Sequence, residues 1–310
     1  PTPLSVYEGM FKLGAATYGV YKDGKLSLRS YWLPSETEKK EMQFGDAISL
    51  LDRALEKSVA ARMVADVPVG VFLSGGLDSS LIAYYAQKNS RIPVHTFSLG
   101  FKDVSYDESS YAREVAKHLG TMHHERIVTA QEVREVLPTL IEKLDEPIAD
   151  PAILPNYLLS EFAREKVKVV LGGDGGDELF AGYQTFTAEK FLPLYRSVPK
   201  VVRKNIIEPL VNKLPVSHRY FSFDFKAKQF IRAAEVPKKY VHQAWLESFS
   251  VAERMEILSA EYKDGTVAHP YRRIDEYLSE IPKADLRLQT SYLYLRTYLQ
   301  DVILQKVDRA

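Results

Sequence analysis

The sequence predicts an α/β fold: a parallel sheet with helices on both faces, followed by a mainly helical C-terminal part. Three observations predict it. Short apolar runs alternate with amphipathic helical segments at about thirty residues per unit. Two of those runs end in glycine-rich turns, Ser74-Gly75-Gly76 and Gly172-Gly173-Asp174-Gly175-Gly176. After Tyr183 the strand signals fade, and Tyr, Leu and basic residues dominate.

The elements follow in chain order. Tyr18 to Trp32 alternates apolar and polar residues about Asp23-Gly24, a dipeptide suited to the positive φ angles of a type I′ turn, so a hairpin is expected there. Its strands need a partner. Pro34 to Lys40 is polar and charged and reads as a linker. From Ala47, apolar residues at Leu50, Leu51, Ala54, Leu55 and Val59 keep helical spacing, and Val67 to Leu73 is a buried strand. A helix from about Ser79 to Gln87, a strand at Val94 to Leu99 and a helix from Ser109 to Leu119, capped by Gly120, continue the alternation. A strand near Glu125 to Val128 precedes a helix opened by the capping box Thr129…Glu132. Ile153 to Arg164 reads as a helix, Val167 to Leu171 as a strand, and Ala284 to Leu304 as helical. On such sheets ligands bind beyond the carboxyl ends of the strands.

Composition narrows the function. Lys+Arg and Asp+Glu both number 41 in 310 residues, so no overall field favours nucleic acid or an anionic membrane, and small molecules or proteins are the expected partners. The absence of cysteine excludes disulfides, thiolate metal sites and a thiol nucleophile, and the seven histidines are too dispersed for a zinc site. No apolar run approaches the ~20 residues that span a bilayer, and a soluble cytoplasmic protein is expected. Because the chain opens at Pro1 and stops at Ala310 without a tail, it is expected to be a fragment.

Leu73-Ser74-Gly75-Gly76-Leu77-Asp78-Ser79-Ser80 sits where an apolar strand ends and a helix begins. Two glycines let the backbone approach a phosphate, the first helical N–H groups point at it, and the Ser74, Ser79 and Ser80 hydroxyls add donors. Asp78 has the wrong sign for a phosphate unless a cation such as Mg²⁺ lies between them. The Walker pattern is missing. A turn using Ser-Gly-Gly only for its geometry is the plain alternative. Leu171-Gly172-Gly173-Asp174-Gly175-Gly176-Asp177-Glu178 again follows an apolar strand and crowds three carboxylates into five residues, tolerable if a cation binds there. A calcium-binding or merely acidic turn is the alternative.

The first string resembles the PP-loop of ATP pyrophosphatases, which cleave ATP between the α and β phosphates. Together the two motifs look like the synthetase domain of glutamine-dependent asparagine synthetase, from about Ala47 to the final residue. Supporting stretches are His95 to Phe101, Tyr106-Asp107-Glu108-Ser109, His118 to Thr121 with His123-His124, Leu144 to Asp150, and Asp301 to Leu304 with Lys306-Val307-Asp308-Arg309. Tyr7 to Trp32 is similar to the tail of that family's glutaminase domain. Residues 1–34 are accordingly expected to be a remnant of that domain plus linker, and 45–310 a synthetase domain truncated at its C-terminus.

The resemblance implies ATP and Mg²⁺ as cofactors, and ATP, aspartate and ammonia from glutamine as substrates. Adenylation of aspartate to β-aspartyl-AMP would be followed by displacement of AMP by ammonia. By motif position Ser74, Gly75, Gly76, Ser79 and Ser80 would hold the phosphates, Asp78 and Asp177 the magnesium, and Leu73, Leu99, Gly172 and Gly173 the adenosine. Asp174 would serve the acyl-adenylation step; Glu178 is expected to be structural. Lys306 and Arg309 are cations suited to phosphate or to capping the last helix. Asp145, Glu146 and Asp150 are candidates for shaping the aspartate pocket. An adjacent pair such as His123-His124 points to opposite faces of a strand, which favours packing and surface roles.

Two departures matter. The family's cysteine nucleophile for glutamine is absent from this chain, and its downstream lysine lies beyond the last residue. A glutaminase domain is expected in the full-length chain, no nucleic acid or membrane is expected as partner, and a homodimer is left open. A related acyl-adenylating amidotransferase or β-lactam synthetase-like enzyme ranks second, and a non-catalytic nucleotide-binding protein third.

Overall fold

The computed structural model describes residues 2–34, 41–102, 107–217, 219, 221–263 and 270–310. Residues 35–40 of the expected linker Pro34 to Lys40, and Tyr106, lie outside the described residues. The chain divides into two compact units, residues 1–176 with 297–310, and residues 177–296.

In the first unit, β1 (Thr17–Lys22) and β2 (Lys25–Ser30) form the expected hairpin, with Asp23 and Gly24 both at positive φ. The main sheet holds β3 (Val69–Phe72), β4 (His95–Phe101), β5 (Met122–Val128) and β6 (Val169–Leu171), all parallel, in the order β5-β4-β3-β6. Between them run α1 (Phe44–Arg62), α2 (Leu77–Lys88), α3 (Ser109–Leu119), α4 (Ala130–Lys143) and α5 (Ile153–Arg164). Strand β5 begins three residues before the expected start, because Met122 to His124 complete the ladder against His95 to Phe97.

Side chains of successive strand residues point to opposite faces, and the core divides accordingly. Val71 and Leu171 pack with Val59 of α1, Ala83 and Ala86 of α2, and Ala112 and Ala116 of α3. Their neighbours Phe72 and Val170 pack with Phe97, Ala163, Val167 and the Leu159 and Phe162 side chains of α5. Helices thus cover both faces, as the apolar runs predict. The histidine pair obeys the same alternation. The His124 ring lies 2.9 Å from that of His95 and stacks on Phe97, whereas His123 bonds the hydroxyls of Thr96 at 3.0 Å and Ser98 at 3.2 Å.

The second unit is helical. Its longest elements are Gln184–Ser197, Phe223–Ala233, Arg272–Ser279 and Leu286–Leu293, packed through two clusters around Leu192, Ala233 and Trp245 and around Ile274, Tyr277 and Tyr292. Among the described residues no helix is long and apolar enough to cross a membrane.

The capping box of α4 is formed in both directions, the Thr129 hydroxyl accepting from the Glu132 N–H at 3.2 Å and the Glu132 carboxylate accepting from the Thr129 N–H at 2.7 Å. Thr129→Ala removes one side of it, at a cost of about 1 kcal/mol. Hydrogen exchange of the first amides of α4 should therefore quicken about five-fold.

Candidate active site

The register of the sheet sets the site. Val71 of β3 lies opposite Leu171 of β6, so the turns that leave these two parallel strands emerge side by side at the carboxyl end of the sheet. Leu73, 1% exposed, extends β3 by donating its N–H to the Phe97 carbonyl at 2.8 Å. Leu99, two residues beyond Phe97 on β4 and half-buried, lies at the same end.

The first turn is held by its own hydroxyls. Ser74 Oγ and Ser79 Oγ are 3.0 Å apart; Ser74 Oγ accepts from the Gly76 N–H at 3.2 Å, and Ser79 Oγ accepts from the Ser74 N–H at 3.3 Å. These groups shape the turn as well as lining it. Gly75 has φ +85°, and a Cβ there would stand 2.5 Å from Tyr111 Cβ and 2.6 Å from the Ala112 nitrogen, because the turn is pressed onto the first turn of α3. Glycine is the residue that fits both conditions. That seat was not legible in the sequence: Tyr111 and Ala112 carry no motif of their own. No side chain caps α2, so its first N–H groups stay open to an anion. Ser80 Oγ, one turn into the helix, is buried without a hydrogen-bond partner among the described residues. An orphaned buried hydroxyl costs about 1–3 kcal/mol, a cost that a bound ligand would relieve.

The second turn is tight, Gly176 donating its N–H to the Gly173 carbonyl at 3.2 Å. It lies directly against α2. A Cβ on Gly173 would sit 2.9 Å from the Ser79 nitrogen and 3.1 Å from Asp78 Cβ, and one on Gly176 would sit 2.5 Å from the Asp78 carboxylate. Two missing side chains therefore let the acidic turn close over Asp78. Burial there pushes the Asp78 carboxyl up from its ordinary value, and no ion pair among the described residues offsets it. Asp174 is exposed on this turn, beside Gly172. Among the described residues no three metal-ligating side chains form a cluster.

Asp177 opens the second unit, half-exposed at the head of α6 (Gly176–Phe180), its carbonyl accepting from the Gly182 N–H at 3.0 Å. Glu178 is 1% exposed and accepts a hydrogen bond from the Tyr183 hydroxyl, the structural part expected of it. Lys306 is buried, its ammonium 3.1 Å from Asp150. Arg309 lies 2.6 Å from Asp145, and Lys12 pairs with Glu146, holding that carboxyl below its ordinary range. All three acids of the 145–150 segment are thus engaged by cations of the first unit.

The class these features define is an α/β protein with an anion-seeking turn beside an acidic one at the carboxyl end of a parallel sheet. Residues 50–310 match the family model described as asparagine synthase, and the chain belongs to that family. It is 32% identical over 194 residues to asparagine synthetase [glutamine-hydrolyzing] 1 of Bacillus subtilis, covering 61% of this chain and 30% of that protein. Asparagine synthetase B [glutamine-hydrolyzing] of Escherichia coli is 34% identical over 186 residues, with 55% and 31% covered. The chain spans less than half the length of the curated relatives it matches, 41% and 46% in two further cases. Among solved structures, NMN synthetase from Francisella tularensis aligns over 86% of this chain and 97% of its own at 15% identity and a TM-score of 0.35, a likeness that carries no argument.

The raised Asp78 carboxyl has a consequence for stability. The folded protein holds that proton to higher pH than the unfolded chain does, so the native state loses stability as pH rises through the ordinary carboxylate range and up to the raised value. Asp78→Asn should therefore raise the melting temperature of the ligand-free protein at neutral pH and leave it nearly unchanged in acid. Thermal unfolding followed at both pH values checks it.

Proposed function

We propose that this chain is the synthetase part of an ATP-dependent amide-forming enzyme that converts aspartate to asparagine. The observation that supports it most is the seating of Asp78, in the first turn of an uncapped helix, beneath the backbone of the second glycine-rich turn. A phosphate chain at the helix end and a cation at the carboxylate would satisfy both halves of that corner. Family membership supports the same reading.

In the proposed reaction a side-chain carboxylate oxygen of aspartate attacks the α-phosphorus of ATP. The bond from that phosphorus to the bridging oxygen breaks and pyrophosphate leaves. The nitrogen of ammonia then attacks the acyl carbon, AMP departs with the bonding pair, and the nitrogen gives up a proton. Ser74, Gly75, Gly76, Ser79 and Ser80 would hold the phosphates, with Ser80 Oγ gaining the partner it lacks. Leu73, Leu99, Gly172 and Gly173 would line the adenosine site. Asp174 would meet the substrate amine or assist proton removal.

Magnesium fits the donor set: Asp78 offers hard carboxylate oxygens that burial leaves uncompensated, and Mg²⁺ takes one or two carboxylates besides phosphate oxygens. Asp177 joins it by its place in the motif. Bound there, the ion would neutralise charge on the phosphates. Lys306 would reach a phosphate only by leaving Asp150. Residues 1–34 are proposed as the end of a glutaminase domain. The names of the matched relatives support glutamine as the ammonia source in a longer protein.

Supplied with ATP, Mg²⁺, aspartate and an ammonium salt, the full-length protein should release AMP and asparagine in equal amounts. AMP appearing only with another acid would transfer the assignment to a related acyl-adenylating enzyme, and nucleotide binding without pyrophosphate release would mark a non-catalytic protein. Asp78→Asn should abolish pyrophosphate release in a protein that stays folded, and Gly176→Ala, which drives a methyl group into the Asp78 carboxylate, should lower it at least ten-fold, measured by a coupled pyrophosphate assay.

A further inference from the structure

The second unit carries a surface for which this chemistry has no use. Between Lys190 and Lys226 the sequence holds eight Lys and Arg residues and two acidic ones, in a chain whose total charges balance. Folding sharpens the imbalance. Both acids are turned inward: Asp224 is buried, and Glu208 is paired with Lys204 at 3.1 Å. Arg203 is buried against Glu235, and Arg196 spends its guanidinium on the Ala234 and Val236 carbonyls. What remains exposed is Lys190, Lys200, Lys204, Lys213, Arg219 and Lys226, so every fully exposed charge among the described residues of this stretch is positive.

Large apolar side chains stand between these cations. Leu194 is 70% exposed, Val201 70%, Val216 72% and Phe223 77%, with Ile206 and Leu210 more than half exposed. Pro193 lies within the helix Gln184–Ser197, and between Pro199 and Pro215 the consecutive helical turns Lys200–Val202, Arg203–Ile207 and Glu208–Asn212 carry Val201, Ile206 and Leu210. At its end Phe221, Phe223 and Phe225 are all exposed; the Phe221 backbone holds φ +46°, its ring meets that of Phe225 edge-on at 6.1 Å, and the Lys226 ammonium stands 5.8 Å over it. An aromatic residue in the left-handed region is a strained arrangement of the kind that persists at functional surfaces.

We propose that this stretch docks the protein peripherally on an anionic lipid bilayer, the aromatic and aliphatic side chains entering the headgroup boundary and the lysines meeting the lipid charge. Lys interleaved with exposed Phe, Leu, Val and Ile along a helical stretch is the composition of an interfacial segment. A bilayer asks for apolar side chains able to insert and for positive charge, and the fully exposed charged groups among the described residues of this stretch are all cations. The expectation of no membrane partner rested on charge summed over the whole chain, which hides this local excess.

The test is co-sedimentation of the full chain with phosphatidylcholine vesicles, with and without phosphatidylglycerol. Sedimentation with the anionic vesicles alone, weakening as salt is added, is the expected result. Each of Lys190→Gln, Lys200→Gln and Lys213→Gln should lower partitioning about five-fold, the triple variant about a hundred-fold, with thermal unfolding unchanged. Phe223→Ser should lower it at unchanged salt dependence. The proposal is overturned if anionic vesicles leave the native chain in the supernatant, if the triple variant sediments as the native chain does, or if polyglutamate binds while vesicles do not, which would make the surface a site for an acidic protein. Concentration-dependent self-association abolished by the same substitutions, without vesicle binding, would overturn it in favour of a second copy.

Discussion

The parallel pairing of β3 with β6 is the constraint on which the candidate site depends. Three ladder positions, Val69 with Val169, Gly70 with Val170 and Val71 with Leu171, fix where two turns almost a hundred residues apart in sequence leave the sheet. A one-residue slip would exchange the faces of β6 and send Leu171 out of the cluster it shares with Val71 and Ala83. The core therefore protects the register, and the register aligns the turns. From there the distances are set by glycine alone, since a methyl group at 173 or 176 would already overlap the first turn of α2.

Helix α2 starts without a side-chain cap, as α1, α3 and α5 do, but at this corner the open N–H groups stand beside a half-buried carboxylate; α4, by comparison, has a complete capping box, and Asp285 caps the helix Leu286–Leu293. Asp107 accepts from the Ser109 N–H and hydroxyl and from the Phe101 N–H; burial pushes its carboxyl up, and those hydrogen bonds outweigh burial and hold it below its ordinary value. Asp78, by contrast, is raised by burial with nothing to answer it. An uncapped helix end, an orphaned hydroxyl and an uncompensated carboxylate within three residues of one another form a concentrated polar deficit. Such deficits are retained where a ligand removes them.

What was legible in the sequence was local chemistry. The capping box of α4, the limits of α5 and the positive-φ turn of the hairpin each follow from residues within a few positions, and the structure has them where the pattern puts them. The two glycine strings were legible as strand-to-helix turns for the same reason. What they pack against was not. Gly75 yields to Tyr111 and Ala112, and Gly176 to Asp78, across separations that no periodicity encodes. The pairing of Lys306 with Asp150 spans 156 positions, so a cation that reads as a phosphate ligand or helix cap is found holding a carboxylate. Strand β5 was underestimated because His123-His124 lacks the apolar run that marks a buried strand; its His124 ring replaces such a run by stacking on His95 and Phe97.

Net charge shows the same limit from another side. A balance of 41 against 41 is a property of the unfolded chain, whereas a partner meets only the charges that folding leaves outside. Between Lys190 and Lys226 folding withdraws both acids and uses two arginines internally, one against Glu235 and one on backbone carbonyls. Burial is selective because a carboxylate beside a helix start or an i,i+4 lysine can be satisfied at low cost, and a guanidinium can bridge carbonyls, while a lone lysine ammonium keeps its hydration best at the surface. The surface potential of a folded unit is therefore decided by which ions find partners inside, and a neutral sequence can present a strongly positive face.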